Sequence, residues 1–594
     1  MDLNWSLKEI YPSFDSDEFT GDIIKLSEVI EGINAWATGV VKNSQDVVGK
    51  LEEYIRRFSD FAVLTNKLQS FISLNITVDT KNIEGLKYSD IIEAKLTKVV
   101  EASTRLEKWI SNINNIDSVI EESILLKEHE FMIKSIVKNS KYLLSDREEN
   151  IIATMENTGS SAFAKLKDTL ISTLKVDIEE NGEIKELPLT VVLNMAYDKN
   201  SEIRKKAYKA EIASYKKVEE GVAAALNGIK GEVLTVCDFR GYKSPLEKTL
   251  IESRMDPESL DAMISAMKES LPVFRKYLKR KGEILGHKNG LPFYDIYAPI
   301  SDVDMKFTYE EGTKFVEKQF RTFSNNLGDF AKKAINNNWI DVMPKEGKVG
   351  GAFCENLHFI GESRFLLNYG DSFSDVITLA HELGHGFHGE CLNNETTLNS
   401  DYPMPIAETA STFCETIIKK AAVKEATKEE ALAILEAEIS DCTQVIVDIY
   451  SRFLFEKSLF EARKECALGV EQIKELMLNA QREAYGDGLD PNFLHPYMWA
   501  WKPHYYEASC NYYNFPYAFG LLFAKGLYAK YLEKGDTFSV DYEKLLSITG
   551  KNKIEDVTKV MGIDIHNKEF WIKSLKTIEE DIEKFMELSR ISNK

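Results

Sequence analysis

Residues 375–385 read Asp-Val-Ile-Thr-Leu-Ala-His-Glu-Leu-Gly-His and contain the pattern His381-Glu382-x-x-His385. On a helix, side chains four apart lie on one face, one turn above the other. The imidazoles of His381 and His385 can then meet at one metal ion, for which Zn–N distances are roughly 2.0–2.1 Å. Glu382 is turned about 100° around the helix axis from His381. That offset suits a base acting on water at the metal rather than a third ligand. Histidine is scarce here, 9 of 594 residues, against 95 acidic residues. A chain of this composition holds on the order of 0.01 such patterns by chance. The pattern therefore reads as a metal-binding helix, the alternative being a helix whose two histidines are merely buried or solvated. Along it Val376, Ala380, Leu383 and Phe387 form an apolar stripe for a core, and His381, His385 and His388 occupy a neighbouring face. Ser374 or Asp371 is the expected helix cap.

Catalytic zinc commonly has three protein ligands and one open position. A long-form motif would need glycine at position 388 and histidine at 391; the chain has His388 and Cys391, which excludes that class. The alternative is a downstream glutamate. After Pro403 and Pro405 a helix opens through Ala407-Glu408-Thr-Ala-Ser411, and Glu408 lies 23 residues beyond His385. Glu415, seven residues further on nearly the same face, reads as an acceptor for a ligand imidazole N–H or as a structural helix charge. His388 reads as an outer or structural residue.

The rest of the chain is mainly helical. From about 44 to 141, Leu51, Tyr54, Ile55, Phe58 and Phe61 recur at spacings of three and four, as do Ile92, Leu96, Val99 and Val100. The lone His129 lies in a charged helix and is expected to face solvent. Residues 1–20 mix aromatics with turn formers and read as a segment laid across a surface. The period then changes: Leu174–Ile178, a turn at Glu180-Asn181-Gly182, and Ile184–Leu189 read as a β-hairpin. The expected division is a helical N-terminal domain, 1–190, ending in this hairpin, and a catalytic domain, 191–594. Helices are expected over 200–225, from Asp256-Pro257 to an interruption at Pro272, and over 309–336. Two short strands, 353–359 and 363–369, should flank Gly361.

Composition excludes several classes. The net charge is −21 and there is no long basic run, so no nucleic-acid partner is expected. The longest apolar runs, such as Tyr517–Ala524, fall far short of the roughly 18 residues of a membrane span. The opening Met1-Asp-Leu-Asn-Trp5 lacks a basic stretch followed by an apolar one and is not expected to be a secretory leader, and the seven scattered cysteines form no CxxC pair; a reducing cytoplasm is expected.

His381-Glu-Leu-Gly-His385 followed by Ala407-Glu408-Thr-Ala-Ser resembles the thimet-oligopeptidase-like zinc metallopeptidases, and most closely their oligoendopeptidase F branch. Trp5-Ser-Leu-Lys-Glu-Ile-Tyr-Pro, Tyr294-Asp-Ile-Tyr-Ala-Pro, Trp339-Ile-Asp-Val with Gly347-Lys-Val-Gly-Gly-Ala-Phe, and Phe365-Leu-Leu-Asn-Tyr are similar to the same branch. The resemblance implies a mainly α, clam-like, two-lobed enzyme with a small β-sheet beside the active-site helix and a deep substrate channel. It implies one Zn2+ ion, held by His381, His385 and Glu408, and hydrolysis of internal bonds in short unfolded peptides with Glu382 as base. Gly350, Gly351 and Ala352 would receive the peptide backbone. His504 and Tyr517, in the aromatic stretch 502–520, would stabilise the tetrahedral intermediate, with Tyr513 binding substrate and His495 a weaker candidate. The alternatives are a zinc exopeptidase of carboxypeptidase or peptidyl-dipeptidase type, which needs a donor set for the terminal carboxylate, and a non-catalytic zinc-containing peptide-binding protein.

Overall fold

In a computed structural model, which describes residues 3–42, 45–180, 182–301, 303 and 305–591, the chain is mainly helical with two small sheets, as the periodicity predicts. It divides into two units, each drawn from three separated stretches. The first comprises 1–141, 305–418 and 530–563, and the second 142–304, 419–529 and 564–594. This spatial partition differs from the sequential division at residue 190, which separates the chain by composition.

In the first unit, helices Asp17–Val40 and Val47–Val78 begin at side-chain caps, Ser16 and Asp46. Their buried faces join the core of Tyr11, Phe14, Phe19, Leu26, Leu68 and Phe71, which extends to Leu357 and Leu366 of a three-stranded sheet. Number the strands in chain order: β1 is Lys175–Glu180, β2 Glu183–Pro188, β3 Ile340–Asp341, β4 Phe353–Leu357 and β5 Glu362–Leu366. The sheet order is β3-β5-β4, with β3 parallel and β4 antiparallel to β5. Gly361 takes φ 64° in the tight connection between β4 and β5, a region that favours glycine. The N-terminal segment is not merely laid on a surface. Ser6 N–H donates to the Asn338 carbonyl at 2.8 Å, Val342 N–H to the Leu3 carbonyl at 2.9 Å, and Tyr11 is buried.

His129 is also buried, contrary to the expectation. Its Nδ1 lies 2.9 Å from the Leu125 carbonyl and its Nε2 2.9 Å from the Thr396 hydroxyl. A partner 267 residues away is invisible to helical periodicity.

In the second unit, β1 and β2 form the expected antiparallel hairpin, Lys175 opposite Pro188. Of its turn, Asn181 lies outside the described residues. The stretch expected as one helix over 200–225 is two, Ser201–Tyr215 and Glu219–Arg240. In the first unit, 309–336 likewise splits at Ser324, which caps the second half. Pro272 does not interrupt its helix: Pro257–Ile284 runs through it. A helical proline removes one backbone hydrogen bond, but Met267, Leu271 and Phe274 around it are buried, and that burial outweighs the local cost. Lys230 and Glu456 form a fully buried ion pair at 2.8 Å, with Asn511 Oδ1 accepting a further bond from Lys230.

Candidate metal centre

The short connection after β5 leads to the motif helix, Phe373–Leu392. Its cap is Ser372, not Ser374 or Asp371: Ser372 Oγ accepts from Asp375 N–H, while Asp375 Oδ2 accepts from Ser372 N–H at 2.9 Å and its hydroxyl at 2.6 Å. This reciprocal arrangement satisfies helix-end donors that have no intrahelical partner. Val376, Ala380, Leu383 and Phe387 are buried as the stripe requires.

His381 and His385 approach at Nε2–Nε2 3.1 Å. Glu408 Oε2 lies 3.4 Å from the first nitrogen and 3.5 Å from the second. Glu408 sits at the junction between helices Met404–Ala407 and Thr409–Glu425, where its carboxylate also accepts from the Ser411 hydroxyl at 3.0 Å. A tetrahedral ion with bonds of about 2.0–2.1 Å has ligand–ligand edges of about 3.3–3.4 Å. The three measured edges match that triangle. The chemistry of the set also fits: His381 Nδ1 lies 2.5 Å from Glu415 Oε1, so with its proton on Nδ1 the Nε2 lone pair faces His385 and Glu408. Donor lone pairs that converge in this way repel one another unless a cation joins them.

Gly384 makes the arrangement geometrically feasible. A Cβ there would meet the Ala410 carbonyl oxygen and Ser411 Cα, each at 2.7 Å. Helix Thr409–Glu425 thus crosses the motif helix as closely as backbone permits, which carries Glu408 and Glu415 to the histidines. On another side Asn356 of β4 donates to the His385 carbonyl at 3.3 Å and accepts from the Ser363 hydroxyl at 2.8 Å. Asn356 was not legible in the sequence; a polar residue within a short strand was its only signal.

Glu382 is buried, which raises its carboxyl above the ordinary range more than the two histidines lower it. Burial opposes the charged form of His381, but without an ion the Glu415 hydrogen bond and nearby carboxylates outweigh it and raise it to about 9; a cation at Nε2 would take the place of that second proton. His388 is pushed down to about 3 by burial. It stacks on Tyr402 at 4.0 Å and bonds the Thr549 hydroxyl at 2.8 Å, a structural placement. Cys354, near Glu382, is pushed well above the ordinary thiol range by burial, and the seven cysteines are free.

Gly350, Gly351 and Ala352 precede β4, an edge strand of its sheet. Gly351 has φ 80°, its carbonyl accepts from Asn368 Nδ2 at 2.8 Å, and a Cβ on either glycine would meet open space. His504, Tyr513 and Tyr517 belong to the second unit. The Tyr513 and Tyr517 rings are perpendicular at 5.3 Å, with Tyr517 exposed. His504 packs on Tyr505 at 4.4 Å. His495 is buried and bonds Glu211 at 3.0 Å.

A mainly helical chain with this His-His-Glu triangle and an adjacent glutamate is built as a metallopeptidase. Residues 194–577 match the model of Peptidase family M3, and 112–175 that of Oligopeptidase F. The chain is 25% identical to an oligoendopeptidase F homolog of Lactococcus lactis, over 98% of this chain and 97% of that one. It is 24% identical to Bacillus subtilis oligopeptidase PepF, over 98% and 87% respectively. Its fold matches a Chlamydophila abortus crystal structure with a TM-score of 0.83 at 22% identity, covering 98% of both chains. Oligoendopeptidase-F from Enterococcus faecium matches with a TM-score of 0.70 at 18% identity, covering 97% and 99%. The chain belongs to peptidase family M3, and the expected resemblance to oligoendopeptidase F holds along its full length.

Proposed function

We propose that this chain is a zinc-dependent endopeptidase that hydrolyses internal bonds of short unfolded oligopeptides. The observation that carries the reading is the triangle of His381, His385 and Glu408, with edges of 3.1, 3.4 and 3.5 Å. A zinc ion held by these three supplies Lewis-acid polarisation of the scissile carbonyl and activation of water. Glu382 takes the proton of the attacking water and returns it to the leaving amine. Glu415 fixes the His381 ring and its tautomer. His504 and Tyr517 donate to the developing oxyanion, an interaction commonly worth about 3 kcal/mol per donor. Tyr513 and the Gly350–Ala352 backbone hold the substrate, the free edge of β4 offering main-chain pairing to an extended peptide. The name oligoendopeptidase F carried by relatives supports the substrate class. Free cysteines support a reducing, cytoplasmic setting. The separate family models over 112–175 and 194–577 support 1–190 and 191–594 as sequence modules.

The test combines metal analysis with mass spectrometry of peptide digests. Glu382→Gln is expected to keep its zinc and lose nearly all cleavage; a variant retaining about a tenth of the rate would sink the general-base role. Glu408→Ala is expected to lower zinc content, and full occupancy would point to another third ligand. Cleavage of peptides blocked at both ends separates endopeptidase from exopeptidase action.

A further inference from the structure

The second unit holds a polar cluster that this mechanism does not use. Helix Lys428–Thr443 passes into a π turn over Gln444–Asp448 and resumes as Ile449–Glu465. Such turns are rare and recur at functional sites. Gln444 Oε1 accepts from the Tyr297 hydroxyl at 3.0 Å, and Asp448 Oδ1 from the Tyr485 hydroxyl at 3.2 Å. The other Asp448 oxygen pairs with the Arg452 guanidinium. Tyr505 and Lys502 are neighbours of Arg452, and Lys502 Nζ sits 4.2 Å from the centre of the Trp501 ring.

The hydrogen bonds of this cluster do not balance. Gln444 Nε2, Arg452 Nε, Trp501 Nε1 and the Tyr505 hydroxyl are buried without a hydrogen-bond partner. All four can donate. Arg452 and Lys502 stand against the single carboxylate of Asp448, leaving one net positive charge. Buried donors without acceptors are costly and demand an explanation. Water would satisfy the donors but not the charge.

We propose that the Gln444–Arg452–Lys502–Tyr505 cluster is a carboxylate-binding site, its ligand accepting from Gln444 Nε2, Arg452 Nε and the Tyr505 hydroxyl, with Lys502 as the second cation. That the ligand is a peptide rests on the proposed function; the carboxylate is then its C-terminus or an acidic side chain.

The test is calorimetric binding to the full chain carrying Glu382→Gln, which prevents turnover. The ligands are an N-acetylated pentapeptide as the free acid, the same peptide as its amide, and an amide with one internal glutamate. One of the two carboxylate peptides should bind at least about tenfold more tightly than the plain amide, and which one does so identifies the source of the carboxylate. Gln444→Glu is nearly isosteric and turns a donor into an acceptor; Lys502→Met removes the second cation. Each should bring that preference to within about twofold. Circular dichroism and unfolding midpoints confirm folding, and Lys502→Met suffices if Gln444→Glu does not fold. Equal binding of all three peptides by the starting protein, or a preference that survives in the folded variants, would overturn the site. Zinc content and cleavage by the wild-type chain are measured separately, so failure of the peptidase reading leaves this result distinct.

Discussion

Gly384 is the motif residue least conspicuous in the sequence, yet it sets the distance between two helices. The atoms that a Cβ would meet are main-chain atoms of Ala410 and Ser411, so no side-chain rotation can make room. Gly384→Ala must push helix Thr409–Glu425 back, moving Glu408 and Glu415 away from the histidines. The expected cost is about 1–3 kcal/mol of stability and a loss of metal affinity of at least about tenfold. Denaturant unfolding and competition with a chelator measure the two effects. A folded variant with unchanged metal affinity would show that the glycine does not fix the ligand triangle. His381 and His385 were legible because their relation is local, one helical turn. Glu408 was legible because prolines announce its helix. Gly384 was not, because its reason lies in a second helix, and His129 was misread for the same reason, its partner Thr396 being remote.

The motif helix owes its starting point to Ser372 and Asp375, and that point sets the phase at which His381 and His385 emerge. Ser372→Ala should cost about 0.5–2 kcal/mol. Ser374, one of the two caps expected from sequence, is exposed; Ser374→Ala should stay within about 0.5 kcal/mol of wild type. Unfolding midpoints of the two variants decide between them, and equal losses would remove Ser372 from the capping role. The choice was hidden because several capping residue types crowd 371–375, and only the geometry shows which oxygen meets which N–H. Hairpin and helical periods were readable from local pattern alone. The breaks at 216–218 and Ser324 interrupt otherwise continuous patterns, and the passage through Pro272 depends on burial that a local window does not contain.

Each unit is assembled from three separated stretches, so the contacts that join them leave little trace in composition: Ser70 donates to Glu355 at 2.8 Å across 285 positions. In the second unit the same long-range logic produces a buried charge cluster. Glu438 accepts from Lys419 at 2.6 Å and from Lys525 at 2.5 Å, three groups contributed by three helices. Burial alone would raise the Glu438 carboxyl, but the two ammonium groups outweigh it and hold it far below the usual range. A depressed folded-state value stabilises the fold fully above the unfolded-state value of about 4.3. That stabilisation is lost progressively as pH falls below this point. Glu438→Gln leaves the buried Lys525 and the half-buried Lys419 without this anion and should cost about 3–5 kcal/mol at pH 7. Because the glutamine does not titrate, the difference between wild type and variant should narrow as pH drops from about 5 toward 3. Denaturant unfolding of both proteins across that range measures it. A difference that stays constant down to pH 3 would mean that ionisation of Glu438 does not differ between the folded and unfolded chain.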